Sequence, residues 1–410
     1  MDISFKAAVD SGNSEQAMII NGEKILQPST IAKETSNPFY EDKTLEHAVK
    51  TIFKQLVISI NSTSVEPGMY FVGENAIQQG DSYKNMMLGF EDKHQSDVPV
   101  IMTLGMLAAK AVQAAYEKDT NLEEPIKLKV DMITGLPCTE YDQEIGLAFA
   151  DRYTKDKHDV RVYLGKNKTV KVEIEFDYVK VVPEASPVVF SLWQDENGEV
   201  RDGLIFEEFI NTYKTEDDED NEWNDMDGNI FVEEDNEKKL LHIDIGDGTT
   251  EYPITVGLEP DQKFKKGSNN GIGHAVENSV DELANEINVP SMQRHTVSKI
   301  LKDSTHKYHQ TALRVVDNAL SKQADEILRQ AGKQMNSVQN ELDVVVVYGG
   351  GSVLLKKHLY PRLKKVCDTK QIKLLYIPEQ FAATLYVEGL YNIINSELFE
   401  QLKKQALAAK

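Results

Sequence analysis

A strand-like apolar segment ends in an aspartate and a glycine turn at two distant places in this chain. The sequence reads SFKAAVDSGNSEQAMII around Asp10 and Gly12, and LLHIDIGDGTTEYPITVG around Asp244 and Gly246. A single turn of this kind is typical of an ordinary hairpin. Two copies, separated by more than half of the chain, predict a duplicated domain whose halves face one ligand.

The composition of both turns suits a phosphate group bound together with a divalent metal. Phosphate sites need backbone N–H groups at close range, which glycine permits, and neighbouring hydroxyls can donate further hydrogen bonds. The carboxylates of Asp10 and Asp244 would repel phosphate unless Mg²⁺ and its water molecules lie between them. The turns therefore predict a magnesium–phosphate site built from Gly12, Ser14, Gly246, Gly248, Thr249 and Thr250.

A third glycine turn lies near the C-terminal end of the sequence. Gly349, Gly350 and Gly351 follow the β-branched segment LDVVVVY and precede a helical pattern. This order resembles a dinucleotide-binding turn, but Leu354 occupies the position of the last glycine in G-x-G-x-x-G. No G-x-x-x-x-G-K-[ST] segment occurs in the chain, which argues against a P-loop enzyme.

Composition limits the classes of partner and compartment. The 410 residues suffice for two domains, each with its own core. The net charge of −22 disfavours direct contact with DNA or anionic lipid, because such contact needs clustered Lys and Arg. No apolar run approaches the roughly 20 residues of a membrane span, and Cys138 and Cys367 fit a reducing compartment. We therefore expect a cytoplasmic protein without membrane or direct nucleic-acid contact.

Alternating strand and helix patterns predict an α/β architecture. The Asn21–Gly22 pair between two apolar runs is a hairpin signal. Ser268 or Asn269 is the expected cap of a helix that begins near Ile272. The predicted strands are 3–10, 16–20, 24–27, 69–73, 127–137, 160–164, 169–182, the hairpin 240–257, 342–348 and 373–378, and the predicted helices are 44–57, 98–118, several within 290–340, one after the glycines at 349–351, and 380–407.

Residues 195–239 differ from the rest of the chain in composition. This stretch is dense in Asp and Glu and poor in apolar residues, so we expect a solvated insertion, partly without regular structure. Within it, IFEEFINTY at 205–213 predicts one short amphipathic helix.

Three segments resemble the nucleotide-binding motifs of the actin superfamily. Asp10-Ser-Gly-Asn13 is similar to the first phosphate motif, Asp244-Ile-Gly-Asp-Gly-Thr-Thr250 to the second, and Tyr348-Gly-Gly-Gly-Ser352 to the adenosine motif. Thr134-Gly-Leu-Pro-Cys-Thr-Glu-Tyr-Asp142 and Val181-Val-Pro-Glu-Ala-Ser-Pro187 resemble the ParM-like bacterial actins, which segregate plasmids. The resemblance covers most of the chain outside roughly 195–239.

The resemblance implies a two-lobed actin-like (ribonuclease H-like) fold, with a duplicated core and a nucleotide cleft between the lobes. Lobe I would comprise 1–190 and about 381–410, with subdomain IB at about 33–75. Lobe II would comprise 191–380, with the acidic insertion at about 195–239 and subdomain IIB at about 268–342.

The resemblance also implies roles for particular residues. Asp10 and Asp244 would hold hydrated Mg²⁺, and Glu184 would orient the attacking water; these three are the expected catalytic residues. ATP is the expected nucleotide, with GTP as an alternative. The residues expected to contact the nucleotide are Ser11, Gly12, Asn13, Ser14, Gly246, Asp247, Gly248, Thr249, Thr250, Gly349, Gly350, Gly351 and Ser352.

Two departures from the family pattern bear on the phosphate contacts. Asp247 occupies a position where many relatives carry a small residue, so it must point away from phosphate or meet a cation. The first turn has no nearby Lys or Arg, since Glu15 and Gln16 follow it instead.

The function implied by the resemblance is that of an ATPase whose filaments segregate plasmid DNA. The chain would bind further copies of itself, and a small DNA-binding adaptor on the plasmid centromere would make the nucleic-acid contact. Two alternatives stay open: a monomeric small-molecule kinase of the same superfamily, and a nucleotide-binding scaffold that forms no filament.

Overall fold

The computed structural model describes residues 1–80, 83–86, 92–118, 122–215, 221–233 and 236–408. The chain divides into two compact units. The first comprises Met1–Pro187 and Val387–Lys410, and the second comprises Val188–Tyr386. Each unit contains one β-sheet with helices packed on it, which confirms the predicted α/β class.

The sheet of the first unit has nine strands in the order β3-β2-β1-β7-β9-β8-β5-β6-β4. The central strands β1, β7 and β9 are parallel, and all other pairs are antiparallel. The strands are β1 (Asp2–Ser11), β2 (Glu15–Ile20), β3 (Glu23–Pro28), β4 (Ile31–Glu34), β5 (Val57–Asn61), β6 (Gly68–Val72), β7 (Ile126–Leu136), β8 (His158–Tyr163) and β9 (Thr169–Pro183).

Four helices accompany these strands: α1 (Leu45–Lys50), α2 (Glu74–Ile77), α3 (Asp97–Glu117) and α4 (Gln143–Thr154). The helix predicted at 44–57 was wrong in its second half. The chain passes through a short 3₁₀ turn at Ile52–Lys54 and then forms β5, whose sequence VISIN is rich in the branched residues that favour strands. Helix α4 was not predicted from the sequence.

Helix α3 is the core helix of the first unit. Ser96 caps it, since its hydroxyl oxygen accepts a hydrogen bond from the Val98 N–H. By length and composition α3 could cross a membrane, so the expectation that no apolar run reaches that length was wrong. Most of the helix is nevertheless buried against the sheet, and at Gly105 an added Cβ would lie 3.0 Å from the Ile58 side chain. This burial accounts for its apolar composition without a membrane.

The second unit begins within α5 and contains a seven-stranded sheet, in which β10, β15 and β16 are parallel. All five residues of β15 are buried, as expected for a strand covered on both faces. The strands are β10 (Lys239–Ile245), β11 (Thr250–Glu251), β12 (Ile254–Val256), β13 (Glu259–Pro260), β14 (Gly267–Ser268), β15 (Val344–Tyr348) and β16 (Lys373–Tyr376).

The α-helices of this unit pack on that sheet and on one another. They are α5 (Ser186–Trp193), α6 (Glu207–Tyr213), α7 (Ile272–Glu277), α8 (Val280–Glu286), α9 (Arg294–Lys302), α10 (His309–Ser337), α11 (Gly350–Thr369) and α12 (Glu379–Ala382), with 3₁₀ turns at Gly203–Ile205, Gly228–Phe231 and Gln262–Phe264.

The acidic insertion is folded where the structure describes it, so the expectation of a merely solvated segment was wrong. Phe206, Phe209, Trp223 and Phe231 are buried and contact one another in pairs. The Tyr213 hydroxyl accepts a hydrogen bond at 2.8 Å from the N–H of Leu374 in the edge strand β16, which satisfies one exposed backbone donor. The aromatic residues were too few and too scattered to outweigh the acidic composition in the sequence. The predicted helix at 205–213 is confirmed as α6; residues 216–220 and 234–235 lie outside the described part.

Two C-terminal helices, α13 (Leu385–Asn395) and α14 (Glu397–Ala408), return to the first unit. Lys403 pairs with Asp131 of β7 at 2.6 Å, and Gly389 packs against the Pro187 backbone so closely that no Cβ would fit. The single helix predicted at 380–407 is instead three helices. The break before α14 is explained by Ser396, whose hydroxyl accepts a hydrogen bond from the Phe399 N–H and so caps a new helix.

Candidate functional site

The turn between β1 and β2 is a tight hairpin held by side chains. The Ser11 hydroxyl donates to Gln16 Oε1 at 3.0 Å, and Gln16 Nε2 donates to the Thr103 hydroxyl on α3 at 3.1 Å. Ser29 donates to the Gly12 carbonyl at 2.6 Å. A Cβ at Gly12 would lie 2.7 Å from the Glu15 carbonyl oxygen, so glycine is required there. The turn is therefore fixed in shape, with the Ser11 hydroxyl already engaged.

Parallel strand order brings two of the expected catalytic acids to one edge of the first sheet. Asp10 lies near the carboxyl end of β1, and Glu184 directly follows β9, with β7 between them. Ligands of parallel sheets bind outside the carboxyl ends of the strands. Both carboxylates therefore belong to the part of this unit where a ligand is expected.

A buried lysine joins these acids. Lys93 Nζ lies 2.8 Å from Glu184 Oε1, and the two side chains are only 7% and 15% exposed. Burial raises the pKa of Asp10 to about 7; Lys93 lowers it, while Glu184 and Glu15 raise it further. Burial alone would lower the pKa of Lys93, but the carboxylates of Glu184 and Asp10 outweigh it and raise that pKa. The cluster is thus two acids that share one cation.

The backbone around Lys93 is anchored by residues of the resemblance motif at 134–142 and of α4. The Glu140 carboxylate accepts hydrogen bonds from the N–H groups of Lys93 and His94, at 3.1 and 2.8 Å. Arg152 donates to the carbonyl oxygens of His94 and Ser96, at 3.0 and 2.6 Å. Sequence reasoning missed Lys93 because it lies 83 positions from Asp10, in the loop before α3. A lysine three residues before the helix cap Ser96 was the available signal.

The turn between β10 and β11 is held by the start of α7. Three backbone hydrogen bonds join them: Ile272 N–H to the Gly246 carbonyl at 2.9 Å, Gly271 N–H to Gly248 at 3.0 Å and Gly273 N–H to Asp247 at 2.7 Å. The buried Thr250 hydroxyl donates to the Asn270 carbonyl at 2.8 Å. The expected cap at Ser268 or Asn269 was wrong, because Ser268 lies in β14 and Gly271 precedes the helix.

Asp247 meets a cation, one of the two outcomes expected from the sequence. Its carboxylate forms an ion pair with Arg294, the first residue of α9, and the two side chains are 11% and 19% exposed. The carboxylate therefore has a partner within the second unit itself.

The glycines after β15 let the start of α11 approach the end of β10. Gly349 has φ 87°, and a Cβ there would lie 2.5 Å from Asp244 Oδ1. A Cβ at Gly351 would lie 2.8 Å from the Ile245 side chain. The structure thus gathers Asp244, the second phosphate turn and the third glycine turn at the carboxyl ends of β10 and β15.

Ser352 occupies a different environment from the neighbouring glycines. It is fully buried, its carbonyl accepts a hydrogen bond from Tyr376, and its hydroxyl has no hydrogen-bond partner among the residues that the structure describes. Its contact with a nucleotide stays a prediction, as do the nucleotide contacts of all the other residues expected from the sequence.

Comparisons with known proteins agree with this architecture. Residues 8–186 match the family model described as actin like proteins N terminal domain, and residues 242–361 match archaeal actin homologue MreB-like, C-terminal. No curated protein sequence matches the chain. These two models of actin-like proteins match different parts of the chain, and they confirm its resemblance to the actin superfamily.

Solved structures place its fold among the bacterial and archaeal actins. The actin-like protein Alp7A is 17% identical, with a TM-score of 0.68 over 100% of this chain and 99% of that one. Bacillus thuringiensis ParM with ATP is 17% identical, with a TM-score of 0.61 over 97% and 99%. The archaeal actin homolog Ta0583 is 12% identical, with a TM-score of 0.59 over 95% and 98%. The predicted actin-like fold is confirmed, and Alp7A and ParM are among the structures that share it.

Proposed function

We propose that this chain is an actin-like ATPase whose nucleotide-dependent filaments segregate plasmid DNA. The observation that carries the proposal is the buried cluster of Asp10, Lys93 and Glu184 at the carboxyl ends of the parallel strands. Enzymes use burial and neighbouring charges of this kind to set protonation states, so the cluster marks a candidate catalytic site.

The two turns supply the groups that a triphosphate needs. Backbone N–H groups of Gly12–Ser14 and Gly246–Thr250 would contact phosphate oxygens, and Gly349–Ser352 would contact the nucleoside. In this proposal both turns bind the phosphates of one nucleotide, ATP or alternatively GTP.

The residues present fit a hydrated Mg²⁺. Burial and the carboxylates of Glu184 and Glu15 raise the pKa of Asp10 even though Lys93 lowers it, so a further cation beside Asp10 would be favourable. Asp244 offers a second carboxylate at the equivalent strand end of the other unit. Mg²⁺ commonly keeps several waters and takes one or two carboxylates, which suits this donor set. When bound, the ion would offset phosphate charge.

Glu184 is the residue proposed to act on the attacking water. A carboxylate can accept the proton of a water molecule while directing its lone pair toward phosphorus. Lys93 donates a hydrogen bond to Glu184 Oε1 at 2.8 Å and so fixes the orientation of that carboxylate. Positioning of this kind supplies most of the catalysis in phosphoryl transfer.

The solved relatives support the nucleotide and the filament only by analogy. Bacillus thuringiensis ParM has been solved with ATP, with ADP and with AMPPNP. Self-association and plasmid segregation are proposed for this chain by analogy with proteins of ParM-like fold. A cationic DNA-binding adaptor would complement its net charge of −22. A cytoplasmic location follows from this role.

ATP turnover and sedimentation test the proposal. We expect the protein to pellet with Mg²⁺ and ATP but much less with ADP, and to hydrolyse ATP without a phosphate acceptor. Glu184→Ala should reduce turnover by about 100-fold and retain nucleotide binding. Glu144→Ala, an exposed glutamate on α4, is the matched control and should behave like the wild type.

Three outcomes would contradict the proposal in different ways. Negligible pelleting with either nucleotide, across protein and salt concentrations, would contradict the proposed filament formation. Turnover that appears only with a phosphate acceptor would identify a kinase. Slow ATP turnover that is unchanged by Glu184→Ala would identify a nucleotide-binding scaffold.

A further inference from the structure

The second phosphate turn contains an acid that a phosphate ligand would oppose. Asp247 lies between Gly246 and Gly248, whose backbone N–H groups are proposed to contact phosphate. An unneutralised carboxylate next to a polyanion repels it, and the repulsion is strong where little water screens it. The side chain of Asp247 is only 11% exposed, so screening by water is weak there.

Arg294, which lies 47 positions further along the chain, neutralises that acid by direct contact. Its Nη1 forms the ion pair with Asp247 Oδ2, and its own side chain is 19% exposed. A Cβ at position 273 would overlap the guanidinium, so Gly273 makes the approach possible. The other carboxylate near Arg294, that of Glu277, lies 3.7 Å from Nε but is 64% exposed, so water screens it.

The Asp247 main chain is held at the same place. Its carbonyl oxygen accepts the hydrogen bond from Gly273 N–H at 2.7 Å, while its side chain is directed to α9. The ion pair and this backbone bond together set both the charge and the conformation of the turn.

We propose that Arg294 is a positioning residue of the second phosphate turn: by pairing with Asp247 it cancels the charge of an acid that would otherwise weaken phosphate binding. This inference rests on the proposed function, since it assigns a role within the same nucleotide site. A purely structural ion pair would support folding without distinguishing one ligand from another.

A ligand series of increasing charge separates the two roles. Binding of adenosine, ADP, ATP and magnesium tripolyphosphate is measured by titration calorimetry on the full chain. Arg294→Met leaves the Asp247 carboxylate uncompensated, so ATP and tripolyphosphate should bind at least about 10-fold more weakly, ADP less so, and adenosine within about 2-fold of the wild type.

Substitution of the acid instead of the arginine should not weaken the binding of ATP or tripolyphosphate. Asp247→Ser removes the acid and leaves the cation, so ATP and tripolyphosphate should bind at least as tightly as to the wild type. The double variant Asp247→Ser with Arg294→Met should return within about 3-fold of the wild type, because neither charge remains. Both variants keep the test decisive even if Arg294→Met alone folds poorly.

Arg314→Met is the matched control, because Arg314 forms an exposed ion pair with Glu286 on other helices of the same unit. It should leave every affinity unchanged. The inference is overturned if Arg294→Met weakens all four ligands alike, or if Asp247→Ser weakens ATP binding. If the wild type binds ATP and the variants do not differ from it, only the inference fails. If it binds neither ATP nor tripolyphosphate, the proposed function fails with it.

Discussion

The β1–β2 turn and the β10–β11 turn, both proposed to contact phosphate, share a sequence pattern but differ in the groups that hold them and in the acid with which the neighbouring cation pairs. Side chains hold the β1–β2 turn, through Ser11 and Ser29. Backbone bonds from α7 hold the β10–β11 turn. In the first unit the cation, Lys93, pairs with Glu184, the proposed catalytic acid, whereas in the second Arg294 pairs with an acid inside the turn itself.

This difference indicates unequal roles for two copies of one motif. In both units three parallel strands bring the turn to their carboxyl ends. In the first unit, Glu184 is proposed to accept a proton, and Lys93 supplies the opposite charge. In the second unit, Arg294 only neutralises Asp247, the acid within the turn. We therefore expect chemistry to depend more on the first unit, and phosphate affinity to depend more on the second.

The largest expected effect comes from Lys93→Met. Loss of the contact with Glu184 should lower ATP turnover by about 100-fold, with a smaller change in nucleotide affinity, measured by steady-state kinetics and calorimetry. Lys93→Arg should restore part of the activity because it retains the charge.

Lys110→Met removes an ion pair between a largely buried lysine and the exposed Glu23, away from the site, and it should leave turnover unchanged. In a background with Glu184→Gln, Lys93→Met should have little further effect, because the two residues act together. Fully additive losses would contradict the role assigned to Lys93.

The equivalent glycines of the two turns should differ in their tolerance of a side chain. Gly12→Ala places its Cβ 2.7 Å from a backbone oxygen, whereas in Gly246→Ala the nearest atom lies 3.3 Å away. We expect Gly12→Ala to lower the free energy of unfolding by about 2 kcal/mol and Gly246→Ala by under about 1 kcal/mol, as measured by urea denaturation. Equal losses would show that the two turns are equally rigid.

Asp10 should make the stability of the first unit depend on pH. Because burial raises its pKa to about 7 in the folded chain, the folded state binds more protons than the unfolded state between about pH 4 and 7, and stability falls as pH rises across that range. Without Mg²⁺ or nucleotide, Asp10→Asn should therefore be about 2 kcal/mol more stable than the wild type at pH 7.5, and not more stable at pH 4. A gain that is the same at both pH values would contradict the raised pKa.

The smallest expected effect concerns the side-chain bonds of the first turn. Ser11→Ala removes the hydrogen bond to the buried Gln16 and should cost about 1 kcal/mol of unfolding free energy. Ser14→Ala, at an exposed position of the same turn, is the control for stability and should change it little. A larger loss for Ser14→Ala would contradict the assigned hydrogen-bond network.

Much of the fold could be predicted from local patterns. Strong β-branched runs such as VVVVY and long periodic segments such as α3 predicted their elements because burial and side-chain period agree there. Local patterns failed where a short segment depends on distant contacts. Strand β5 is such a case, since it pairs with β8, and so is Tyr213 of the insertion, whose hydroxyl accepts a hydrogen bond from Leu374 in β16.

The residues of the candidate site also fall into those that local sequence patterns could predict and those that depend on distant contacts. Asp10, Asp244 and the three glycine turns could be predicted because tight turns and phosphate contacts require particular residue types at fixed short spacings. Lys93 and Arg294 could not, because a lysine or arginine in a loop or at a helix start resembles many solvated residues of the same type.

Short-range sequence patterns predict the duplicated turns, and the resemblance to the actin superfamily implies the fold class. Tertiary packing determines which cation pairs with which acid. Lys93 lies 91 positions from Glu184 and Arg294 lies 47 positions from Asp247. Charge pairing across such separations depends on how strands and helices pack, because the Coulomb energy of a pair is set by distance in space and by burial.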